Sequence, residues 1–321
     1  MNNNIKFSLV IPVYKNRESL PLLLDAVRAL QQQHRQMETI FVVDGCPQDC
    51  YGWLAQHLPD ANLRAQLLLH SRNFGSFAAI RTGMTTARGS YCAVMAADLQ
   101  EPPELVAEFF HALENDGVDV VLGTRDSRED PFFSKLASQI FWGIYRRYVQ
   151  PDMPAGGIDM FGCNQLFREK LLALPEQNSS LVGLILWLGF KRKCIGYHRR
   201  ARAHGASAWT LRRKLNYLLD SVFAFSDLPL KLLMSVGGLA MLIAFIVGVA
   251  ALIAKLSGQI AVPGYTMLII AISFFGALNM FALGVVGSYV WRAFENTKAR
   301  PIAVLAKQHI FDHDGKDNGN D

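Results

Sequence analysis

The chain has 321 residues, of which 51% are hydrophobic, and a formal net charge of +5 at pH 7. This length allows one soluble domain of roughly 200 residues plus a membrane-associated segment, and two long apolar runs near the C-terminal end argue against a wholly soluble protein. The five cysteines have no paired metal spacing, so we expect reduced thiols in a cytosolic domain, with a redox pair of Cys46 and Cys50 as the alternative.

Apolar strands and helical patterns alternate along the first half of the chain. The strand-like runs lie at residues 7–13, 39–43, 66–69, 91–96 and 118–122, and the helical patterns at 19–33, 74–86, 104–115 and 132–148. The strand-like run at residues 7–13 follows the first residues directly and is too short for the apolar region of a secretory signal, so we expect no N-terminal secretory signal. The alternation predicts an α/β domain whose mostly parallel sheet is covered by helices. In such sheets, ligands bind beyond the carboxyl ends of the strands.

The later part of the chain has the character of a membrane protein. Residues 211–225 mix basic and apolar side chains at near-helical spacing, which predicts an amphipathic helix lying in the headgroup layer. Two apolar runs follow, at 232–254 and 265–291. Each has about 20 or more mostly uncharged residues, enough to cross a hydrocarbon core of ~30 Å as a helix. We therefore predict a two-helix transmembrane hairpin, with a pair of buried core helices as the alternative.

Basic residues flank this hairpin on its outer sides, whereas the connecting loop has only Lys255. The flanking residues are Arg199, Arg200, Arg202, Arg212, Arg213, Lys214, Arg292, Lys298 and Arg300. Since loops rich in Lys and Arg stay in the cytoplasm, we expect a multi-pass protein of the bacterial inner membrane with both termini cytoplasmic. Basic residues at this place favour anionic headgroups or a lipid phosphate over nucleic acid; a pure topology signal is the alternative.

Short polar motifs follow the predicted strands. They are Ile11-Pro12-Val13-Tyr14, Val43-Asp44-Gly45, Ser71-Arg72-Asn73-Phe74-Gly75, Asp98-Leu99-Gln100-Glu101-Pro102-Pro103-Glu104 and Gly123-Thr124-Arg125. In this order and spacing the chain resembles the family 2 glycosyltransferases, which have the Rossmann-like GT-A fold. Further motifs, Arg202-x-x-Gly205-x-Ser207-x-Trp209 and Glu295-Asn296-Thr297-Lys298, resemble the branch that includes dolichyl-phosphate mannose synthases, bactoprenol glucosyltransferases and undecaprenyl-phosphate aminoarabinose transferases.

The resemblance implies an inverting transfer of a sugar from a nucleotide-diphosphate donor, here expected to be a UDP-sugar, to undecaprenyl or another polyprenyl phosphate. The product would serve cell-envelope glycan synthesis or lipopolysaccharide modification. The acceptor phosphate is largely dianionic at neutral pH and needs little general-base help. A processive polysaccharide synthase is disfavoured because the sequence has no Gln-x-x-Arg-Trp motif. The alternatives are a transferase with another lipid acceptor and a catalytically degenerate membrane adaptor.

By the same resemblance, Asp98 and Gln100 are the ligands of Mg²⁺ or Mn²⁺. Such a cation neutralises charge on a leaving diphosphate and prefers oxygen ligands, which alternate residues of an extended segment would point to one side. Ala96 stands where relatives commonly have a second acid. One carboxylate plus substrate phosphates still makes a plausible magnesium site. A helix-capping Asp98 is the alternative.

The resemblance also assigns the donor side of the site. Asp44 lies where relatives recognise the imide N–H of the base; an aspartate with only a turn-forming role is the alternative. Val43, Cys46 and Ser76 depart from the family pattern, and Ser76 replaces a lysine. The predicted nucleotide-sugar residues are Pro12, Tyr14, Asp44, Arg72, Asn73 and Asp98.

Asp98, Asp159 and Arg125 are the predicted catalytic residues. Asp159 occupies the place of an acid that borders the sugar or the reacting centre in relatives, with a buried structural carboxylate as the alternative. Arg125 is a candidate for holding phosphate, because a guanidinium offers two parallel donors. We assign the acceptor phosphate to Arg202, Arg200 and Ser207.

These assignments divide the chain into four parts. We expect a cytoplasmic GT-A domain at 1–200, a juxtamembrane interfacial segment at 201–230, two transmembrane helices within 231–292, and a cytoplasmic tail at 293–321 whose last ten residues are disordered. Gly284 and Ser288 could form a small-residue helix contact, within one hairpin or in a homo-oligomer.

Overall fold

The computed structural model describes residues 5–125, 143, 146–147, 150–154, 157–174, 176, 179–199, 222, 226, 228–257 and 264–311. The predicted helix at 132–148 and the interfacial segment at 201–230 lie almost entirely outside these residues. So do three predicted acceptor residues, Arg200, Arg202 and Ser207.

One mixed sheet of eight strands organises the described residues. The strands are β1 (Phe7–Val13), β2 (Met37–Val43), β3 (Ala65–His70), β4 (Tyr91–Val94), β5 (Val120–Arg125), β6 (Met160–Asn164), β7 (Arg192–Tyr197) and β8 (Leu305–Phe311), in the spatial order β7-β5-β6-β4-β1-β2-β3-β8. β6 and β8 are antiparallel to their neighbours, and the remaining adjacent pairs are parallel. The predicted α/β class with a mostly parallel sheet is confirmed.

Helices cover both faces of the sheet. They are α1 (Leu20–Gln33), α2 (Cys50–His57), α3 (Ser76–Thr86), α4 (Glu104–Asn115), α5 (Gln165–Leu172) and α6 (Leu181–Trp187). In β1, Leu9 and Ile11 belong to a core shared with α1, α2 and α4, whereas Val10 belongs to a second core shared with α3, α5 and α6. Alternate side chains of a strand point to opposite faces, so one buried strand serves both cores.

The strand order reverses direction beside β1. The chain passes from β1 to β2 on one side, and later returns to place β4 on the other side. Such a reversal leaves a crevice at the carboxyl ends of the two strands, which is where open α/β sheets bind ligands. The segments that follow β1 and β4 therefore border the expected site.

Two long helices, α7 (Leu228–Leu256) and α8 (Tyr265–Thr297), contain the two predicted apolar runs and contact each other. Among the described residues, one stretch, Phe274–Thr297, is long and apolar enough to cross a membrane, and Pro229–Ala240 is a shorter apolar stretch. The presence of two spans stays a prediction.

Strand β8 is an element that the sequence analysis did not predict. It follows α8 after the short connection 298–304 and pairs antiparallel with β3 at one edge of the sheet. Phe311 at its end is 3% exposed and joins the core of α1, α2 and α4. Because β8 is part of the sheet, the carboxyl end of α8 lies close to the α/β domain.

Candidate active site

Asp44 follows β2 and holds the loop that follows β3. Its buried carboxylate accepts hydrogen bonds from the backbone N–H groups of Phe74 and Gly75, both at 2.8 Å, and lies 2.9 Å from Nδ1 of His70. The other ring nitrogen of His70, Nε2, lies 2.9 Å from the Thr82 hydroxyl oxygen. The Asp44 carboxylate, which was predicted to recognise the nucleotide base, is therefore already hydrogen-bonded to other groups of the protein.

His70 was missed by the sequence analysis. It is 1% exposed and is the last residue of β3. A single histidine inside an apolar strand has no periodicity or spacing that separates it from an ordinary core residue.

The glycine after Asp44 lets two loops meet. Gly45 has a φ of +56°, and a Cβ at this position would lie 2.4 Å from the carbonyl carbon of Arg72 and from the backbone nitrogen of Asn73. Only glycine fits such a close backbone approach at positive φ. The Asn73 side chain donates to the Asp44 carbonyl oxygen at 3.3 Å. The structure thus brings the loops of Asp44, Arg72 and Asn73 together.

The loop after β1 packs against the same region. The Tyr14 backbone N–H donates to Asn16 Oδ1 at 3.2 Å, and the Lys15 N–H donates to the Cys46 sulfur at 3.2 Å. Cys46 Sγ lies 2.6 Å from Cys50 Sγ. Burial, together with the hydrogen bond to Cys46, raises the pKa of the Cys50 thiol to about 12. Pro12 and Tyr14 thus border the loop that contains Asp44.

The turn after β4 differs from the expected geometry. β4 ends at Val94, Leu99 has a φ of +54°, and the Gln100 N–H donates to Asp98 Oδ1 at 3.3 Å. This is an Asx turn, in which the aspartate side chain bonds to the backbone two residues on. The prediction of an extended segment with Asp98 and Gln100 on alternate positions is wrong, although both residues do lie at the crevice.

Glu101 adds an unpredicted carboxylate to this turn. It is 3% exposed, and its Oε2 atom has no hydrogen-bond partner within the described part of the chain. Burial raises the pKa of Glu101 to about 7, with further increases from the charges of Asp98 and Asp159 and an opposing effect of Arg199. The carboxyl group therefore faces two other acids.

Arg199, just after β7, reaches the same turn. Its Nη2 donates to Gln100 Oε1 at 2.5 Å, and its Nε lies 3.8 Å from Glu101 Oε1. The sequence analysis treated Arg199 only as one of the basic residues that flank the hairpin. A contact between residues almost a hundred positions apart leaves no signal in a single sequence.

Asp159, Arg125 and Tyr197 form a second cluster, between the ends of three strands. β5 ends at Arg125, β7 ends at Tyr197, and the antiparallel β6 begins just after Asp159, so all three residues lie at one edge of the sheet. Arg125 donates to both carboxylate oxygens of Asp159 through Nε and Nη2, and the Tyr197 hydroxyl donates to Oδ2 at 2.6 Å. Tyr197 was missed by the sequence analysis.

The charges of this cluster are mutually stabilised. Burial alone would raise the pKa of Asp159, but the hydrogen bonds from Arg125 and Tyr197 outweigh it, and the pKa lies below its usual value. The hydrogen bond to Asp159 raises the pKa of Arg125, while burial and the same carboxylate raise the pKa of Tyr197. Asp159 is thus ionised at neutral pH.

An open cleft of about 460 Å³ borders both clusters, and Tyr197 and Arg199 line it together with Glu104 and Glu108. These two glutamates make one side of the cleft acidic. A phosphate group is therefore a poor match for that side.

The turn after β4 has the chemistry that a hard divalent cation needs. The Asp98 carboxylate, the Gln100 carbonyl oxygen and the unpartnered Oε2 of Glu101 all supply oxygen donors. Within the described residues, no set of three or more His, Cys, Asp or Glu side chains could hold a metal by itself. The residues therefore fit Mg²⁺ or Mn²⁺ bound with help from amide and substrate oxygens.

A mostly parallel sheet with polar loops at the carboxyl ends of its strands is the arrangement in which open α/β folds bind ligands. Residues 8–173 match glycosyl transferase family 2. The chain is 31% identical over 308 residues to CsbB of Bacillus subtilis (strain 168), covering 96% of this chain and 93% of the relative. The chain therefore belongs to glycosyl transferase family 2, and it is a glycosyltransferase with a GT-A fold.

Two further likenesses concern a relative and a solved structure. The chain is 27% identical over 305 residues to the prophage bactoprenol glucosyl transferase homolog of Escherichia coli (strain K12), covering 94% of this chain and 99% of the relative. A crystal structure of glucosyl-3-phosphoglycerate synthase from Mycobacterium tuberculosis, in complex with Mn²⁺, UDP-glucose and phosphoglyceric acid, has a TM-score of 0.49 and 13% identity, covering 68% of this chain and 77% of that one.

Proposed function

We propose that this glycosyltransferase moves a sugar, with inversion, from a UDP-sugar to a polyprenyl phosphate such as undecaprenyl phosphate. The relative named as a bactoprenol glucosyl transferase homolog supports this acceptor, because the match extends over 94% of this chain and so includes the apolar helices α7 and α8. A long-chain lipid acceptor also explains why a catalytic domain is joined to apolar helices.

The observation that carries the proposal is the juxtaposition of the two clusters. Arg199 joins the turn from Asp98 to Glu101 to the cluster of Arg125, Asp159 and Tyr197. Its Nη2 donates to Gln100 Oε1 at 2.5 Å, while Tyr197, two residues before it, donates to Asp159 Oδ2 at 2.6 Å. We assign the donor diphosphate to the turn and the acceptor phosphate to the side of Arg125. A cation held by Asp98 and Gln100 would neutralise charge on the leaving diphosphate when bound.

Asp159 then acts by holding charge rather than by taking a proton. Its carboxylate accepts from Arg125 and Tyr197, and its pKa lies below the usual value. A general base works best when its pKa is near the working pH, so Asp159 is poorly suited to that role. An acceptor that is already dianionic needs no base, and Asp159 instead fixes the guanidinium of Arg125 in place.

Asp44 organises the donor side in this proposal. Its carboxylate ties the loop of residues 73–75 to β2, and the nucleotide is assigned to Pro12, Tyr14, Arg72 and Asn73 around it. These hydrogen bonds favour the alternative that Asp44 only shapes a turn. We therefore assign the direct contact with the nucleotide base to neighbouring groups.

The acceptor headgroup and the membrane complete the proposal. We assign the lipid phosphate to Arg202, Arg200 and Ser207 together with Arg125, and the headgroup layer to residues 201–230. The enzyme would be a multi-pass protein of the bacterial inner membrane that works at the cytoplasmic face. Strand β8 supports one point of this topology, because it ties the carboxyl end of α8 to the side that holds the catalytic domain.

The test is transfer from a panel of radiolabelled nucleotide sugars to undecaprenyl phosphate in membranes, with wild-type or Asp98→Asn protein and with or without Mg²⁺ or Mn²⁺. We expect an organic-extractable product that requires both the cation and Asp98. Product formed equally well by Asp98→Asn removes this residue from the site. No product from any donor, with the protein shown to be folded and inserted, overturns the proposed acceptor.

A further inference from the structure

Glu101 offers an oxygen donor beside Asp98 and Gln100, but the proposed function assigns the cation to those two residues only. It lies three residues after Asp98, directly before the two prolines that precede α4, and its side chain is 3% exposed. Its Oε2 atom is buried with no hydrogen-bond partner in the described part of the chain. An unpartnered carboxylate oxygen in the interior is costly, so a positively charged partner is expected at this atom.

The surroundings of Glu101 already attract positive charge. Asp98 and Asp159 act on it as negative charges, and Arg199 acts on it as a positive charge. Arg199 donates to Gln100 Oε1 at 2.5 Å and holds its Nε 3.8 Å from Glu101 Oε1. The amide oxygen of Gln100 and the carboxylate of Glu101 thus both face the guanidinium of Arg199.

Arg199 does not satisfy Glu101 fully. Its short hydrogen bond goes to Gln100, its side chain is 32% exposed, and the separation of 3.8 Å from Glu101 Oε1 is too long for a hydrogen bond. A purely structural ion pair would be expected to direct its donors at both carboxylate oxygens. The contact instead leaves Oε2 available to a second cation.

We propose that Glu101 supplies the second carboxylate ligand of the divalent cation, in place of the acid that is missing at Ala96. Asp98, Gln100 and Glu101 then offer two carboxylates and one amide oxygen, a set suited to Mg²⁺ or Mn²⁺ with substrate oxygens completing the shell. This inference rests on the proposed function for the identity of the bound substrate, but the ligand set itself is a property of the turn.

The test is Mn²⁺ binding to the full chain in detergent, measured from the electron paramagnetic resonance signal of free aqueous Mn²⁺, with and without UDP. We expect Glu101→Gln to weaken Mn²⁺ binding by at least about tenfold, the lower end of what loss of a group supporting a metal site costs. Glu169→Gln, an exposed change on α5 away from the cleft, is the matched control and should bind Mn²⁺ like the wild type.

Two further variants keep the test decisive. Ala96→Asp restores the missing acid, so we expect it to tighten Mn²⁺ binding in the wild-type background and to rescue binding in Glu101→Gln. This prediction stands even if Glu101→Gln alone fails to fold. Unchanged Mn²⁺ affinity in folded Glu101→Gln, or absence of Mn²⁺ binding by the wild type, overturns the inference.

The outcome is separable from that of the proposed function. A lipid-linked product whose formation needs metal, combined with normal Mn²⁺ affinity of Glu101→Gln, overturns the role of Glu101 and leaves the transferase proposal standing. Weakened Mn²⁺ binding of Glu101→Gln, combined with no transfer to undecaprenyl phosphate, supports the ligand and overturns the acceptor.

Discussion

Asp44 shows how a residue can be placed correctly from sequence while its contacts stay hidden. Its position after a buried strand predicted a site at the sheet edge, and the structure puts it there. The bonds to His70, Phe74 and Gly75 depend on a loop that returns about thirty residues later. Tyr197, Glu101 and Arg199 were missed for the same reason, because their contacts join distant parts of the chain.

Asp44→Asn is expected to destabilise the protein. The amide keeps one acceptor oxygen and replaces the other with an N–H₂ group, so at least one N–H now bound to the carboxylate loses its partner, at a cost of about 1–3 kcal/mol. The measurement is unfolding of the full chain in detergent. Arg72→Gln, at an exposed position of the same site, should keep wild-type stability. If Asp44→Asn is as stable as the wild type, Asp44 does not hold the loop of residues 73–75, and its role is confined to contact with the nucleotide base.

Tyr197→Phe is expected to change the pH dependence of stability. Because the pKa of Asp159 is lowered in the folded state, its ionised form stabilises the fold above the ordinary pKa of about 3.9 and loses this effect as the pH falls through the lower value. Removing the Tyr197 hydroxyl raises the pKa of Asp159 toward that ordinary value.

The pKa of Asp159 in the unfolded chain is the same in both proteins, so Tyr197→Phe should be less stable than the wild type at neutral pH and should lose less stability than the wild type as the pH falls below about 4. Thermal unfolding measured from about pH 7 downward would show it, with Tyr91→Phe as a control that removes a hydroxyl with no bond to Asp159. Superimposable pH profiles of Tyr197→Phe and the wild type would contradict this account of the Asp159 pKa.

At the scale of elements, apolar runs were predictable and polar strands were not. Residues 7–13 were predicted as a strand with the observed bounds, and 104–115 as a helix with the observed bounds. β2 begins two residues earlier than predicted because Glu38 is fully buried, bonded to Ser8, Gln66 and Arg88. The short or polar strands β6, β7 and β8 have no clear period-two pattern, so their partners in the sheet decide their conformation.

Truncation after Val304 is expected to destabilise the catalytic domain. It removes β8, exposes the edge of β3 and deletes the buried ring of Phe311, a loss of about 3 kcal/mol or more for the ring alone. An uncovered strand edge also favours aggregation. Thermal unfolding and light scattering are the measurements.

The matched control is truncation after Phe311, which keeps every residue of β8. We expect this shorter deletion to unfold at the same temperature as the full chain. Equal stability of both truncated proteins would mean that β8 adds nothing to the sheet.

At the scale of the whole molecule, the proposed topology places the connection between α7 and α8 on the side opposite the catalytic domain. In intact spheroplasts a membrane-impermeant maleimide should then label Ser257→Cys. It should not label the native Cys194, which is exposed in the catalytic domain, until the membrane is permeabilised. Protection of Ser257→Cys, or labelling of Cys194 in intact spheroplasts, would contradict two spans with a cytoplasmic domain.

Strand β8 also fixes an order of events during synthesis. Gln66 of β3 and Gln308 of β8 are hydrogen-bonded across 242 residues of sequence, and both apolar helices are translated between them. The edge of β3 that faces away from β2 therefore stays unpaired until residues 305–311 have been translated. The sheet is completed only after the apolar helices have emerged. A nascent protein that stalls before β8 is translated therefore has a catalytic domain whose sheet lacks one strand.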